Sequence, residues 1–426
     1  MAEIKPFGAL RFTDKAGAVE QIVCPPYDII SEEERKAYLR ANPCNVIRLE
    51  LPRAEREGED PYEAAGQVLG TWLEEGVLAE DGRPALYIYE EAFQAGGRHY
   101  AVRGFICRVK LEEFSKGVVL PHEETLSKAK ADRFNLMCAT GCNFSQIYSL
   151  YMDETGETRR AVEALSAGDP VQSFTDAEGV THRLWIAEDS PAVRDLCRQF
   201  ADRKLYIADG HHRYETALRY RDHLRKAGGE TGISDYVMMM LVDMENPGLV
   251  VFPTHRIVRD LPAFDPAALL RDCQAYFDLQ THSSLEDMEA ALSEKYAAGQ
   301  KAFGFYDGGE GWTLLTLRDP AVMADFLPQG SKALRELDVS VLHSLVLERL
   351  LKIDKENMAS QINLTYTRDR EEALDAVRQG ANCCFILNPT RVEEIGAVAA
   401  AGEKMPQKST YFYPKLITGL VMNKIL

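Results

Sequence analysis

Apolar positions recur every three to four residues over 32–41 and 62–75, the spacing of amphipathic helices, and Gly76 closes the second. Residues 86–90 and 100–109 alternate apolar and polar side chains across Gly96-Gly97, which predicts a β-hairpin. Further along, the pattern predicts a helix over 192–201, a strand over 205–208 running into a helix from 214, and strands over 236–242 and 249–252. Beyond 261, helices at 284–297, 339–351, 371–379 and 391–401 alternate with strands at 302–306, 362–366 and 384–387. The expected class is α+β (mixed α/β). Cuts after 110 and 260 give three regions: 1–110, an N-terminal α+β region; 111–260, a central region; and 261–426, a C-terminal α/β region. No internal repeat or low-complexity linker separates them.

At 426 residues the chain exceeds one ordinary core, and its 46% hydrophobic and 27% charged content is that of a globular protein. A formal charge of −17 opposes binding to a nucleic-acid backbone, which needs clustered Lys and Arg. No apolar run approaches the ~20 residues that span a bilayer, and the first residues lack the features of a signal peptide. Nine scattered cysteines include no CxxC pair, which argues against a zinc framework and for reduced thiols in a cytoplasmic protein.

The richest stretch chemically is Asp209-Gly210-His211-His212-Arg213, between an apolar strand and a helical pattern. A glycine turn into a helix start exposes backbone N–H groups at the positive end of the helix dipole, an anion site in waiting. Arg213 adds a planar fork matched to phosphate oxygens. A plain turn is the competing account, with Asp209 as helix cap and the His and Arg side chains solvated.

Upstream, Pro121-His122-Glu123-Glu124-Thr125 is read as a helix start, followed by Lys128, Lys130, Asp132 and Arg133. Together the two motifs resemble the ADP-dependent free-serine kinases of the ParB/sulfiredoxin-like superfamily, which implies that 111–260 is a ParB/sulfiredoxin-like catalytic core. That resemblance implies Glu123 as general base on a serine hydroxyl, with Asp209, Gly210, His211, His212 and Arg213 at the nucleotide phosphates. His212 and Asp209 are the further catalytic candidates. The motifs lie 86 positions apart (123 to 209), wider than in the compact kinases, so an insertion is expected to loop out of the core. A sulfiredoxin-like reaction needs a Cys in the glycine turn, where this chain has His211. Nearly end to end, the chain is also identified as a member of domain-of-unknown-function family 1015. The residues carrying this are Cys24-Pro25-Pro26-Tyr27-Asp28, Asn45-Val46-Ile47-Arg48-Leu49, the 121–133 segment, 209–213, Pro253-Thr254-His255-Arg256 and 405–415.

Further candidates are weighed against structural roles. Cys24 to Asp28 is a rigid turn or a pocket wall with Tyr27 or Asp28; Cys24 has no basic neighbour in sequence to activate it. Thr254, His255 and Arg256 follow a strand, where active-site residues often sit, although a buried backbone-bonded histidine is as good an account. Lys408, Ser409, Thr410 and Lys415 offer two cations and two hydroxyls to a phosphate or substrate carboxylate, or else form a solvated strand face. With His122 these make up the expected substrate-binding set. Asn135 and 143–146 read as caps and turn residues. Adjacent His211 and His212 should point apart, which suits a phosphate cradle better than a dedicated metal cage.

The expected function is a nucleotide-dependent phosphotransferase acting on the hydroxyl of serine or a related metabolite, with ATP or ADP and Mg²⁺. The same apparatus would serve a phosphatase acting on phosphoserine or a similar phosphomonoester. A nucleotide-binding regulator without turnover is the reading from another class. Expected partners are a nucleotide and a small-molecule substrate, without nucleic acid or membrane, in a monomer or homodimer.

Overall fold

The structure, a computed structural model, describes residues 2–54, 56–123, 127–228 and 232–426. Its fold is mixed α/β, in two compact units. The first comprises Met1–Leu120, Thr125–Leu249 and Pro414–Leu426; the second comprises Pro121–Glu124 and Val250–Tyr413. This differs from the three expected regions. The hairpin strand Arg98–Lys110 pairs with a strand at 236–241, so a cut after 110 would divide one sheet.

The first unit is built on a nine-stranded mixed sheet. Its strands are β1 (Ile4–Lys5), β2 (Ala85–Ala95), β3 (Arg98–Lys110), β4 (Val119–Leu120), β5 (Ile147–Tyr151), β6 (Gln172–Thr175), β7 (Thr181–Glu188), β8 (Leu205–Asp209) and β9 (Tyr236–Asp243). They lie in the order β4-β8-β5-β9-β3-β2-β7-β6, with β1 also on β3. The β2–β3 hairpin turns through Gly96 and Gly97, both at positive φ (53° and 74°), as a two-residue turn matched to strand twist requires.

Alternation divides the side chains between the sheet faces. Leu86, Ile88, Phe105, Cys107, Ile147, Ile207 and Met239 share one core with Met137, Val162, Val193, Leu196, Tyr214 and Ala217. Those last residues come from helices α2 (Ser127–Thr140), α3 (Glu157–Leu165), α4 (Pro191–Gln199) and α5 (His211–Lys226); α1 (Pro61–Glu74) packs on α2. At the centre, Phe200 meets Phe105 and Tyr151 edge to face, with centroids 5.6 and 4.9 Å apart. Each such side chain buried contributes roughly 1.5–3 kcal/mol.

The second unit holds a six-stranded antiparallel sheet, from β10 (His255–Val258), β11 (Phe277–His282), β12 (Ala302–Tyr306), β13 (Trp312–Leu317), β14 (Leu364–Thr367) and β15 (Cys383–Leu387), ordered β11-β13-β12-β15-β10-β14. Helices α6 (Leu285–Ala297) and α7 (Arg370–Arg378) cover one face through Met288, Leu292, Leu374 and Val377. The predicted helix over 339–351 is a short helical turn continued by a π-helix, Leu342–Leu350.

Two local expectations change. His122 and Glu123 precede α2 in extended backbone, with Glu123 bridged to Met405, so Pro-His-Glu is not on a helix. His255 and Arg256 follow the short strand Val250–Phe252 as expected, but they themselves lie in a further strand, β10, with both side chains buried. Glu124, Thr125 and the side chain of Lys128 lie outside the described residues. All nine cysteines are free thiols. Among the described residues no helix is long and apolar enough to cross a membrane.

Candidate functional site

In the first unit, β8 ends on Asp209, and the turn into α5 is made by Gly210 at φ 95°, ψ 27°. The apolar run 205–208 buries β8 between β4 and β5, and a register shift between Ile207 and Asp209 re-aims the last residue, as bulges beside functional sites do. The N-cap of this helix is Gly210, which makes no side-chain cap. Asp209 instead binds two cations: Arg213 Nη2 at 2.6 Å on one oxygen and Lys415 Nζ on the other. Burial pushes the Asp209 carboxyl up, but Lys415, Arg213 and His211 outweigh it and hold the group well below the usual range. Arg213 also donates through Nη1 to the Gln146 carbonyl. His211 is buried and His212 partly buried.

The Arg213 guanidinium lies over the Gly210 backbone: a Cβ there would meet Arg213 Nε at 2.9 Å. Gly210→Ala therefore combines a clash with a left-handed backbone, at a cost of about 1–2 kcal/mol. Urea unfolding measures it; an unchanged midpoint would mean that the helix start relaxes freely.

A second layer lies in the same unit. Ser145, next to Gln146, donates to Glu50 Oε1 at 2.9 Å, and Arg133 stands 3.5 Å from the same carboxylate. Arg133 also binds Asp132 at 2.6 Å and covers the Tyr27 ring at 3.9 Å. Gln146 Nε2 donates to the Ile417 carbonyl at 3.1 Å. Burial raises the Tyr27 hydroxyl to about 12, and Arg133 and Arg213 both pull against that rise. Thus Cys-Pro-Pro-Tyr-Asp, the 132–133 pair, residues 145–146, the Asp-Gly-His-His-Arg turn and Lys415 converge on one connected charge network. Within the first motif, Asp28 is exposed, and burial pushes the Cys24 thiol well up, away from nucleophilic use.

Sequence reasoning missed Glu50. Its one available signal is a carboxylate closing the turn Val46-Ile47-Arg48-Leu49, in which Arg48 is the only other charge. Ser145 and Gln146 are network members as well as turn residues.

The remaining candidates lie in the second unit. Glu123 Oε1 accepts the Ser409 amide at 2.9 Å, and His122 Nε2 meets Thr410 Oγ1 at 2.9 Å. The Met405 amide donates to the His122 carbonyl at 2.7 Å. The tail expected to act as one patch is therefore divided: Ser409 and Thr410 hold Pro-His-Glu in this unit, Lys415 holds Asp209 in the other, and Lys408 is exposed.

Arg256 is 1% exposed, with Nε donating to His343 Nε2 at 3.2 Å and its terminal nitrogens to the Thr254 and Gln407 carbonyls. His255 Nδ1 accepts the Leu387 amide at 3.2 Å; burial and adjacent Arg256 pull its pKa down to about 4, so the ring is neutral. Thr254 is buried beside them.

Among the described residues, no three or more His, Cys, Asp or Glu side chains converge as a metal-ligand set. The donors around Gly210, with Arg213 and Lys415, fit a phosphate group instead.

The family described as "Protein of unknown function (DUF1015)" matches residues 4–340. No curated protein matches the sequence. Among solved structures, the chain is similar to a conserved hypothetical protein from Pyrococcus furiosus, with TM-score 0.36 and 16% identity over 72% of this chain and 92% of that one. It is also similar to free serine kinase in complex with AMP, with TM-score 0.37 and 15% identity over 72% and 88% of the two chains. SbnI with C-terminal truncation from Staphylococcus aureus is similar at TM-score 0.36 and 11% identity, over 74% and 86%.

Proposed function

Because the chain belongs to DUF1015, a family of unknown function, we propose a reaction from its own side chains: nucleotide-dependent phosphoryl transfer to the hydroxyl of a small metabolite of the serine type. The observation that carries this reading is the helix start at Gly210, with Arg213 and Lys415 held beside it by one carboxylate. Phosphoryl transfer asks a protein for positioning and charge neutralisation more than for covalent chemistry. The amides of 210–213, two side-chain cations and His212 supply both to the phosphates of ATP or ADP. Asp209 acts as the positioning group, since its carboxylate is held ionised by its cations. Mg²⁺, when bound, adds charge neutralisation at the phosphates, held mainly by the nucleotide itself.

Glu123 is assigned the general base. The Ser409 amide fixes Oε1, so Oε2 is the oxygen offered to the acceptor hydroxyl. His122 and Thr410, bound to each other, brace the same segment.

The reading is tested by incubating the full chain with a panel of nucleotides and free hydroxy amino acids and following phosphorus NMR. Growth of a phosphomonoester signal with loss of the nucleotide β- or γ-phosphate is expected. Release of inorganic phosphate from phosphoserine alone would reassign the site to a phosphatase, and binding without turnover would reassign it to a nucleotide-responsive regulator.

Arg213→Ala removes one fork from the cradle. Charge-assisted hydrogen bonds contribute roughly 1.5–3 kcal/mol, so calorimetric titration should show nucleotide affinity falling about tenfold to a hundredfold. Unchanged affinity would confine Arg213 to bracing Gln146 and Asp209.

A further inference from the structure

Behind the segment that carries Ser409, the second unit holds a half-open cavity of about 100 Å³. Leu327, Leu334, Met358, Met405 and Pro406 give it apolar walls, and the π-helix Leu342–Leu350 forms one side through His343, Ser344 and Glu348. A π-helix is a rare winding, found often at functional sites. Two polar atoms in this lining stand out. Ser340 Oγ and Tyr366 Oη are both buried, and neither has a hydrogen-bond partner among the described residues. Buried hydroxyls are ordinarily satisfied, and two unsatisfied ones on one cavity ask for a partner inside it. His343 lies beside them, neutral because burial and Arg256 hold its pKa well below the usual histidine value.

We infer that this cavity binds an uncharged heteroaromatic ring of about nucleobase size. Apolar walls with few, convergent polar groups are the ordinary make-up of a small-molecule pocket. The Met358 and Met405 thioethers favour an aromatic guest. The two hydroxyls each donate or accept, which suits ring nitrogens and exocyclic amino or keto groups. A charged guest is disfavoured, because none of the lining charges, Glu348, Lys355 and Lys404, is buried and the buried groups are neutral.

The pocket reaches the Pro-His-Glu segment through a shared wall. Met405 lines the cavity and donates its amide to the His122 carbonyl; Gln407, also in the wall, accepts from Arg256. A ring seated there presses on the segment that pins Glu123, whichever reaction Glu123 serves. Ring binding itself does not depend on the phosphotransferase reading.

The test uses the full chain with adenine and indole as probes and cyclohexanol as a non-aromatic control, by saturation-transfer NMR and calorimetry. At least one heteroaromatic probe should bind and cyclohexanol should not. Tyr366→Phe and Ser340→Ala should each weaken that binding about twofold to tenfold, the worth of one hydrogen bond. In the ligand-free protein both variants should keep or raise Tm, since each removes a hydroxyl with no protein partner. Three results would overturn the inference: neither ring binds, a ring binds equally to wild type and both variants, or either variant lowers the ligand-free Tm.

Discussion

Glu123→Gln is expected to bind nucleotide nearly as tightly as the wild type while turning over about 10²–10⁴-fold more slowly, the usual worth of a general base. The change removes a proton acceptor and little else. An amide oxygen can still accept the Ser409 N–H that now holds Oε1 at 2.9 Å, so the extended segment and its bridge to Met405 should persist. Calorimetry gives the binding and phosphorus NMR the turnover. A wild-type rate would make Glu123 a structural anchor for the 405–410 segment. Glu124→Gln is the companion variant and should turn over normally.

Arg133→Met carries the largest expected loss of stability. Arg133 and Glu50 are 5% and 3% exposed, and the guanidinium meets the Glu50 side chain at 3.5 Å and its carbonyl at 2.7 Å. Removing one partner of a buried ion pair strands the other, at a cost of about 3–5 kcal/mol. A pH dependence follows from the surviving carboxylate. Burial already raises Glu50 above its ordinary value, and Arg133 is the main group opposing that rise. A carboxyl whose folded pKa exceeds its unfolded one contributes stability that is present below the unfolded value and lost as pH rises through the folded value. The variant's deficit in urea unfolding should therefore be smaller near pH ~5 than near pH ~8. Equal deficits at both would mean that Glu50 does not take up the proton.

These variants probe different parts of what the sequence made legible. The turn into α5 was readable because everything it needs is local: an apolar run, a glycine and a helical period within some twenty residues. His122 and Glu123 look locally like a helix start, yet they are held extended by Met405, Ser409 and Thr410, partners more than 280 positions away that leave no local trace. Lys415 likewise reaches Asp209 across 206 positions, so the tail's division between units was not legible in its composition. Position after an apolar run suggested a presented site at Thr254 to Arg256. Instead the chain re-enters a sheet there, and buried backbone carbonyls and amides satisfy both side chains. The cut after 110 had no local signal against it, because strand pairing between 105–110 and 236–241 is a property of the fold.

The central claim is that one nucleotide is held at the Gly210 turn while Glu123 serves its acceptor. A crystal structure of the Glu123→Gln variant with a non-transferable nucleotide analogue and serine tests it most directly. The account predicts phosphate oxygens on the 210–213 amides, Arg213 and Lys415, and the serine hydroxyl in line with the terminal phosphoryl. That hydroxyl should lie within ~3.2 Å of the side-chain amide at position 123, directly or through one water. Phosphates bound elsewhere, or a serine hydroxyl bound remote from position 123, would contradict it.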